Sequence, residues 1–274
     1  MKEFFDMQLH IDYAWRMEQF HFHDCYEMTI VLEGTGEMSV GSQTYAIQRG
    51  TVFLLSNGEI HRSQVEDATL YQRYVIKFSE EYISGLSTNQ TNLLKMFSLE
   101  TPCIVLDDDA LQPLLDLCAF AMEKNDAFGS DLLRQNAFIE LAITLNTLAD
   151  ASQKGEPHHT KQMHRITPIM DYIATHATED ITLDDIATEF FITKQHLCYI
   201  FKKNTGLGIN QYLNTQRLIL ACVYLRQGVG VQLAGEQAGF RNNSHFIRTF
   251  KKSFGVSPGK YSAGYKDTIF CVEV

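Results

Sequence analysis

The chain has 274 residues, 45% of them hydrophobic and 20% charged, with 17 Gly and 5 Pro. This balance fits a packed globular protein of about two domains and excludes disordered, collagenous and low-complexity classes. No apolar run is long enough to span a membrane, and Lys2, Glu3 and Asp6 interrupt any signal-peptide core, so a soluble, cytoplasmic protein is expected. The cysteines Cys25, Cys103, Cys118, Cys198, Cys222 and Cys271 form no C-x-x-C pair and read as reduced, mostly buried small hydrophobes. The net charge of −10 is uneven: residues 1–160 hold 10 Lys+Arg against 24 Asp+Glu, whereas residues 161–274 hold 13 against 9. This asymmetry suggests an acidic module tethered to one with a polyanion partner; the alternative is that the +4 of the second part is ordinary surface charge, and the motifs have to decide.

Taken in chain order, residues 20–78 alternate in the manner of strands: Tyr26 to Leu32, Glu37 to Val40, Thr44 to Ile47, Val52 to Leu55 and Leu70 to Phe78. Turns are expected at Gly34-Thr35-Gly36, Gly41-Ser42 and Arg49-Gly50. Short, closely spaced strands predict an antiparallel β jelly roll. His21, His23 and Glu27 share strand parity, so all three can face one interior. The string His21-x-His23-x3-Glu27-x6-Gly34 resembles the first cupin motif, and Gly50-x5-Ser56-x-Gly58-x2-His61 resembles the second, with Ser56 where Pro is usual.

That resemblance implies a metal held by His21, His23, Glu27 and His61, a donor set suited to Zn, Ni or Fe. The alternative is that His23, Glu27 and His61 form a hydrogen-bonded polar cluster or contact an effector. With no cofactor expected, we assign Trp15, His21, His23, Glu27 and His61 to effector binding. Tyr13, Phe22, Thr29 and Val31 are further candidates for the pocket wall, or simply for core.

Leu111 to Lys124 and Asp131 to Ala149 read as amphipathic helices, the second with Phe138, Leu141, Leu145 and Leu148 spaced like a heptad seam. This seam either forms a homodimer or packs against the barrel. The polar stretch Asp150 to Thr160, with His158 and His159 solvated, reads as a hinge. The expected organisation is a sensor and dimerisation domain over 1–150, a linker over 151–162 and a DNA-binding domain over 163–274.

The C-terminal part repeats itself, because Phe201-Lys202-Lys203 returns as Phe250-Lys251-Lys252. In the first copy Thr182 caps a helix over Leu183 to Glu189, Phe190 to Ile192 make a turn, and Thr193 caps a helix over Lys194 to Asn204. In the second copy Gly239-Phe240 is the turn and a helix starts near Asn243. Each copy is a helix-turn-helix. The helix between them, Ile209 to Arg226, would be about 27 Å long. It can hold two reading heads roughly one DNA turn apart.

The outer faces carry Lys194, Gln195, Tyr199, Lys202 and Lys203 in one copy and Asn243, Ser244, Arg248, Lys251 and Lys252 in the other. Gln and Asn can pair with adenine, Arg with guanine, and Lys with phosphates. The alternative is a pair of α-hairpins with solvated faces.

Here the string Gly239-Phe240-x3-Ser244-x-Phe246-x3-Phe250-Lys251-x2-Phe254-Gly255-x-Ser257-Pro258-x2-Tyr261 resembles the signature of the AraC/XylS transcription regulators. The resemblance covers residues 166–262 and implies two recognition helices in successive major grooves. Relatives also carry cupin-like sensor domains and dimerise through helices that follow them. Three departures stand out: Phe191 where the first turn often has Gly, Gly235 inside a helix at a cost of about 1 kcal/mol relative to Ala, and Ser262 for an Arg that often follows Tyr261.

The expected fold class is α+β, a cupin-like antiparallel jelly roll with helices followed by an all-α double helix-turn-helix. The function expected is transcription regulation controlled by a small-molecule effector such as a sugar, without catalysis. One rival is a metal-dependent cupin oxygenase or isomerase using His21, His23, Glu27 and His61, fused to a DNA-binding module. Another is a constitutive activator whose barrel is a scaffold only.

Overall fold

The computed structural model describes residues 5–66, 69–123, 126–151, 153–154, 163–264 and 270–272. The N-terminal part builds β1 (Phe5–Tyr13), β2 (Phe22–Asp24), β3 (Tyr26–Glu33), β4 (Gly36–Val40), β5 (Gln43–Ile47), β6 (Thr51–Leu55), β7 (His61–Val65), β8 (Leu70–Phe78), α1 (Glu80–Leu86), β9 (Cys103–Val105), α2 (Asp108–Met122), α3 (Ser130–Ala151) and β10 (Gln153–Lys154). One antiparallel sheet has the order β1-β8-β3-β6-β9-β10, and a second has β5-β4-β7. The alternation of apolar and polar residues decides which way each strand faces. Met28 and Ile30 of β3, and Ile76 and Phe78 of β8, pack on one face of the large sheet against α2 and α3. Val31, Tyr71, Phe53 and Leu55 line the opposite face with Met38, Val40, Tyr45 and Ile47 of the small sheet.

The heptad-like seam is turned inward. Phe138, Leu141 and Leu145 are fully buried against the sheet, and Leu148 packs at the edge of the same cluster. The face left open on α3 carries Leu132, Leu133 and Ile143 instead, and Phe120 of α2 and Phe128 of the connecting turn are exposed as well.

The C-terminal part is helical: α4 (Met163–Thr175), α5 (Leu183–Glu189), α6 (Lys194–Thr205), α7 (Ile209–Arg226), α8 (Val231–Gln237), α9 (Asn243–Phe254) and α10 (Pro258–Gly264), followed by the strand β11 (Phe270–Val272). Thr182 and Asp185 form a reciprocal capping box at the start of α5, Thr193 caps α6 and Asn242 caps α9. Both recognition-type helices stop at a left-handed glycine, Gly206 and Gly255. The core runs through Ile186, Leu197, Phe201, Leu218, Phe246, Phe250 and Tyr261.

Strand β2 belongs to both halves. Its neighbour in the sheet is β11, with Phe22 opposite Val272 and Asp24 opposite Phe270. Phe22 joins the helical core together with Phe20 and Ile60, and its ring meets that of Phe254 at 5.9 Å. The Asp24 carboxylate accepts hydrogen bonds from Arg226 of α7 and from the Tyr261 hydroxyl of α10. A second tie is made by the Thr167 hydroxyl, which donates to the Ser42 carbonyl at 2.6 Å. The charged start at Lys2 and Glu3, the end of the helix expected to reach Lys124, and the joint holding His158 and His159 lie outside the described residues.

Candidate DNA interface and effector site

Lys194, Gln195, Tyr199, Lys202 and Lys203 are all exposed on α6, and Asn243, Ser244, Arg248, Lys251 and Lys252 are all exposed on α9. The amphipathic pattern explains this: Leu197 and Phe201 anchor one helix, and Phe246 and Phe250 the other, so polar residues between them turn outward. Lys203 lies over the Tyr199 ring at 5.8 Å. Lys194 is tied to Asp184 at 3.1 Å, which restrains it at the N-terminal end of α6. Two features escaped the sequence reading. Arg241, just ahead of α9, pairs with Asp180. A polar cleft of about 440 Å³ between α7 and α9 is lined by Asn210, Gln211, Asn214, Thr249, Lys252 and Ser253.

The departures at Phe191 and Gly235 resolve physically. Phe191 keeps the left-handed turn with φ 52° and is almost fully exposed. A Cβ on Gly235 would lie 2.6 Å from the Phe246 ring, so this glycine lets α8 and α9 approach rather than merely weakening a helix. Ser262 turns to the Leu225 carbonyl at 3.5 Å.

Inside the barrel the structure brings His21, His23, Glu27 and His61 together. The His21 and His61 rings lie 4.1 Å apart, and His23 is 4.8 Å and 5.2 Å from them. All four residues are buried. Burial, reinforced by the neighbouring imidazoles, pushes His21 down to about 2. Burial likewise pushes His61 down to about 4 against the pull of Glu27. Both rings are therefore neutral near pH 7. His61 Nδ1 lies 2.9 Å from the Glu59 carbonyl and must donate to it. That fixes the tautomer and leaves buried Nε2 as a bare acceptor with no partner among the described residues.

Glu27 is held ionised. Burial opposes this, but the hydrogen bond from His23 and the charge of Lys77 keep its carboxyl well below the usual range. Oε2 sits 3.1 Å from His23 Nε2 and 3.5 Å from Lys77 Nζ, while Thr29 Oγ1 donates to Oε1 at 3.0 Å. Lys77 Nζ is also 3.2 Å from His23 Nε2.

The three imidazoles can present ring nitrogens within 4.8 Å of one another. Two of the four expected ligands nevertheless face each other and an ammonium group. A cation entering between them would meet Lys77, so this donor set does not fit a resident four-ligand metal.

Trp15 stands in a separate group. Its Nε1 donates to Ser63 Oγ at 2.9 Å, and its ring lies 4.6 Å from the Arg73 guanidinium carbon. Tyr71 takes the same guanidinium at 4.1 Å. Thr29 and Val31 point inward as expected, but Tyr13 is exposed and Phe22 belongs to the helical core. Sequence reasoning misses Tyr71, Arg73 and Lys77, although their shared parity along β8 places all three on one face.

Residues 8–142 match the AraC-like ligand binding domain, and residues 186–264 match a helix-turn-helix domain. The chain belongs to the AraC family. An AraC-family transcription regulator unites a ligand-binding domain with a helix-turn-helix DNA-binding domain, as found here. The uncharacterised regulator YfiF of Bacillus subtilis is 24% identical over 254 residues, covering 90% of this chain and 80% of its own. The transcriptional activator RhaS of Citrobacter koseri is 25% identical over 245 residues, covering 87% and 85%. ToxT from Vibrio cholerae O395 superposes over 97% of this chain and 98% of its own, at 16% identity and a TM-score of 0.38. Among the described residues no helix of this AraC-family chain is long and apolar enough to cross a membrane.

Proposed function

We propose that this regulator reads promoter DNA with α6 and α9 and takes its signal from a small molecule in the barrel. Residues 1–150 form the sensor and dimerisation domain, 151–162 the linker and 163–274 the DNA-binding domain. Lys194, Gln195, Tyr199, Asn243, Ser244 and Arg248 face base edges and nearby backbone, while Lys202, Lys203, Lys251 and Lys252 take phosphates. The observation that carries this reading is the equivalence of the two capped helices, each anchored by buried apolar side chains and each presenting its polar residues to solvent. Arg241 and the α7–α9 cleft extend the same polar surface.

His21, His23, Glu27, His61 and Trp15 are assigned to effector recognition, and the chain acts in the cytoplasm without catalysing a reaction. The Lys77 contacts with His23 and Glu27 speak against the metal-dependent enzyme. A homodimer would use the open α3 face at Leu132, Leu133 and Ile143, because the seam at Phe138 is spent on the sheet.

The test is promoter-fragment binding measured across a salt series. Affinity should fall steeply with salt as phosphate contacts release counterions. Arg248→Ala should relax preference within one half-site, whereas Lys202→Ala should weaken all sequences alike. A flat salt response would sink the DNA reading. Sedimentation of Leu133→Glu tests the dimer, which should dissociate.

A further inference from the structure

We propose that the effector is an organic acid whose carboxylate is received by Arg73 and Tyr71 beside Trp15. This rests on the barrel being the effector site and names the chemistry that the site takes.

Arg73 lies on β8, faces the barrel interior and is only 5% exposed. Its Nη1 donates to Asp12 Oδ2 at 2.8 Å, and Asp12 is its one hydrogen-bond partner among the described residues. A guanidinium has five N–H donors and no acceptor. Among the described residues most of this group's donors meet no protein acceptor, and none of its nitrogens is fully buried without a partner, so they stay open to an incoming acceptor. The Tyr71 hydroxyl, at the end of the ring beneath the same guanidinium, is buried with no hydrogen-bond partner among the described residues. Two donors left open side by side call for an acceptor with two oxygens. A carboxylate supplies both and matches the planar guanidinium fork.

The aromatic geometry separates this from recognition of a neutral sugar. Trp15 and Tyr71 could offer flat faces to a pyranose, yet the guanidinium of Arg73 already sits on both, at 4.6 Å and 4.1 Å. Such stacking holds the cation in place for a charged head group. The second interior cation, Lys77, is paired with Glu27 at 3.5 Å. Because Arg73 is already paired with Asp12 at 2.8 Å, the site suits a singly charged head group rather than a phosphate dianion. His61 Nε2, a bare buried acceptor of the same barrel, suits a hydroxyl or amine on the body of the acid.

Trp15 is the sole tryptophan of the chain, so its fluorescence in the full-length protein reports this site directly. Quenching is measured with iodide, caesium and acrylamide at constant ionic strength. Residues 1–160 carry an excess of acidic groups, so an ordinary surface tryptophan there would favour caesium. Iodide should instead quench several-fold better than caesium relative to acrylamide, and Arg73→Gln should abolish the preference while Arg73→Lys retains it. An absent iodide preference, or one unchanged in Arg73→Gln, overturns the proposal.

A second arm compares unfolding midpoints with gluconate against sorbitol, galacturonate against galactose and benzoate against benzyl alcohol. The acid of a pair should raise the midpoint more, and Tyr71→Phe should reduce that shift. A shift with the neutral members alone defeats the carboxylate while leaving the effector reading intact. Loss of promoter binding would instead defeat the regulator reading and leave the iodide result untouched.

Discussion

The two helix-turn-helix units build the same turn from opposite residues. In the first, Ile192 N–H returns to the Ala187 carbonyl at 3.0 Å, and in the second Phe240 N–H returns to Gly235 at 2.9 Å. The residue between is Phe191 with φ 52° in one and Gly239 with φ 93° in the other. Left-handed backbone is costly for a bulky side chain, so sequence preference alone would give both units glycine. The difference lies in what surrounds the turn. A Cβ on Gly239 would sit 2.6 Å from the Ala177 carbonyl oxygen and 2.8 Å from Thr178 Cα, whereas Phe191 projects into solvent. The second unit needs its glycine for space as well as for φ; the first bears only the conformational cost.

Substitutions that exchange these conditions test the comparison. Gly239→Ala combines strained backbone with backbone overlap and should cost on the order of 3 kcal/mol, read as a lower urea midpoint. Gly235→Ala comes next. Overlap with Phe246 should outweigh the gain of roughly 1 kcal/mol in helix preference, for a net loss of about 1–2 kcal/mol by the same measurement. Thr182→Ala removes one half of the capping box and should cost about 1 kcal/mol, with faster amide exchange confined to α5. Phe191→Gly should move the other way, stabilising by roughly 0.5–1 kcal/mol once the backbone is relieved and the flexibility of glycine is discounted. The smallest change is Gly230→Ser. It gives α8 the side-chain cap that it lacks, should add a few tenths of a kcal/mol in thermal denaturation, and would narrow the contrast with the capped α5.

Local signals account for most of what the sequence disclosed. Thr182, Thr193 and Asn242 announce helix starts, and Phe201 with Phe250 marks the repeat. The parity of His21, His23 and Glu27 places three side chains of the barrel cluster together. The remainder depends on contacts that no local pattern carries. β1 was not foreseen because its polar positions dilute the apolar alternation, and it is fixed by pairing with β8 along its whole length. The α3 seam reads equally well as dimer interface or core, and only the apposed sheet decides between them. Arg73 looks like a surface charge on a strand until Trp15 and Tyr71 close around it.

The bond between Asp24 and Arg226 spans 202 residues of chain, and the bond from Tyr261 spans 237. During synthesis the barrel is made first, before either of the groups that neutralise Asp24 has emerged. A carboxylate destined for burial must then stay hydrated, which keeps β2 from settling until α7 and α10 arrive. The edge of the sensor at β2 is therefore closed by α7 and α10, parts of the fold made long after it.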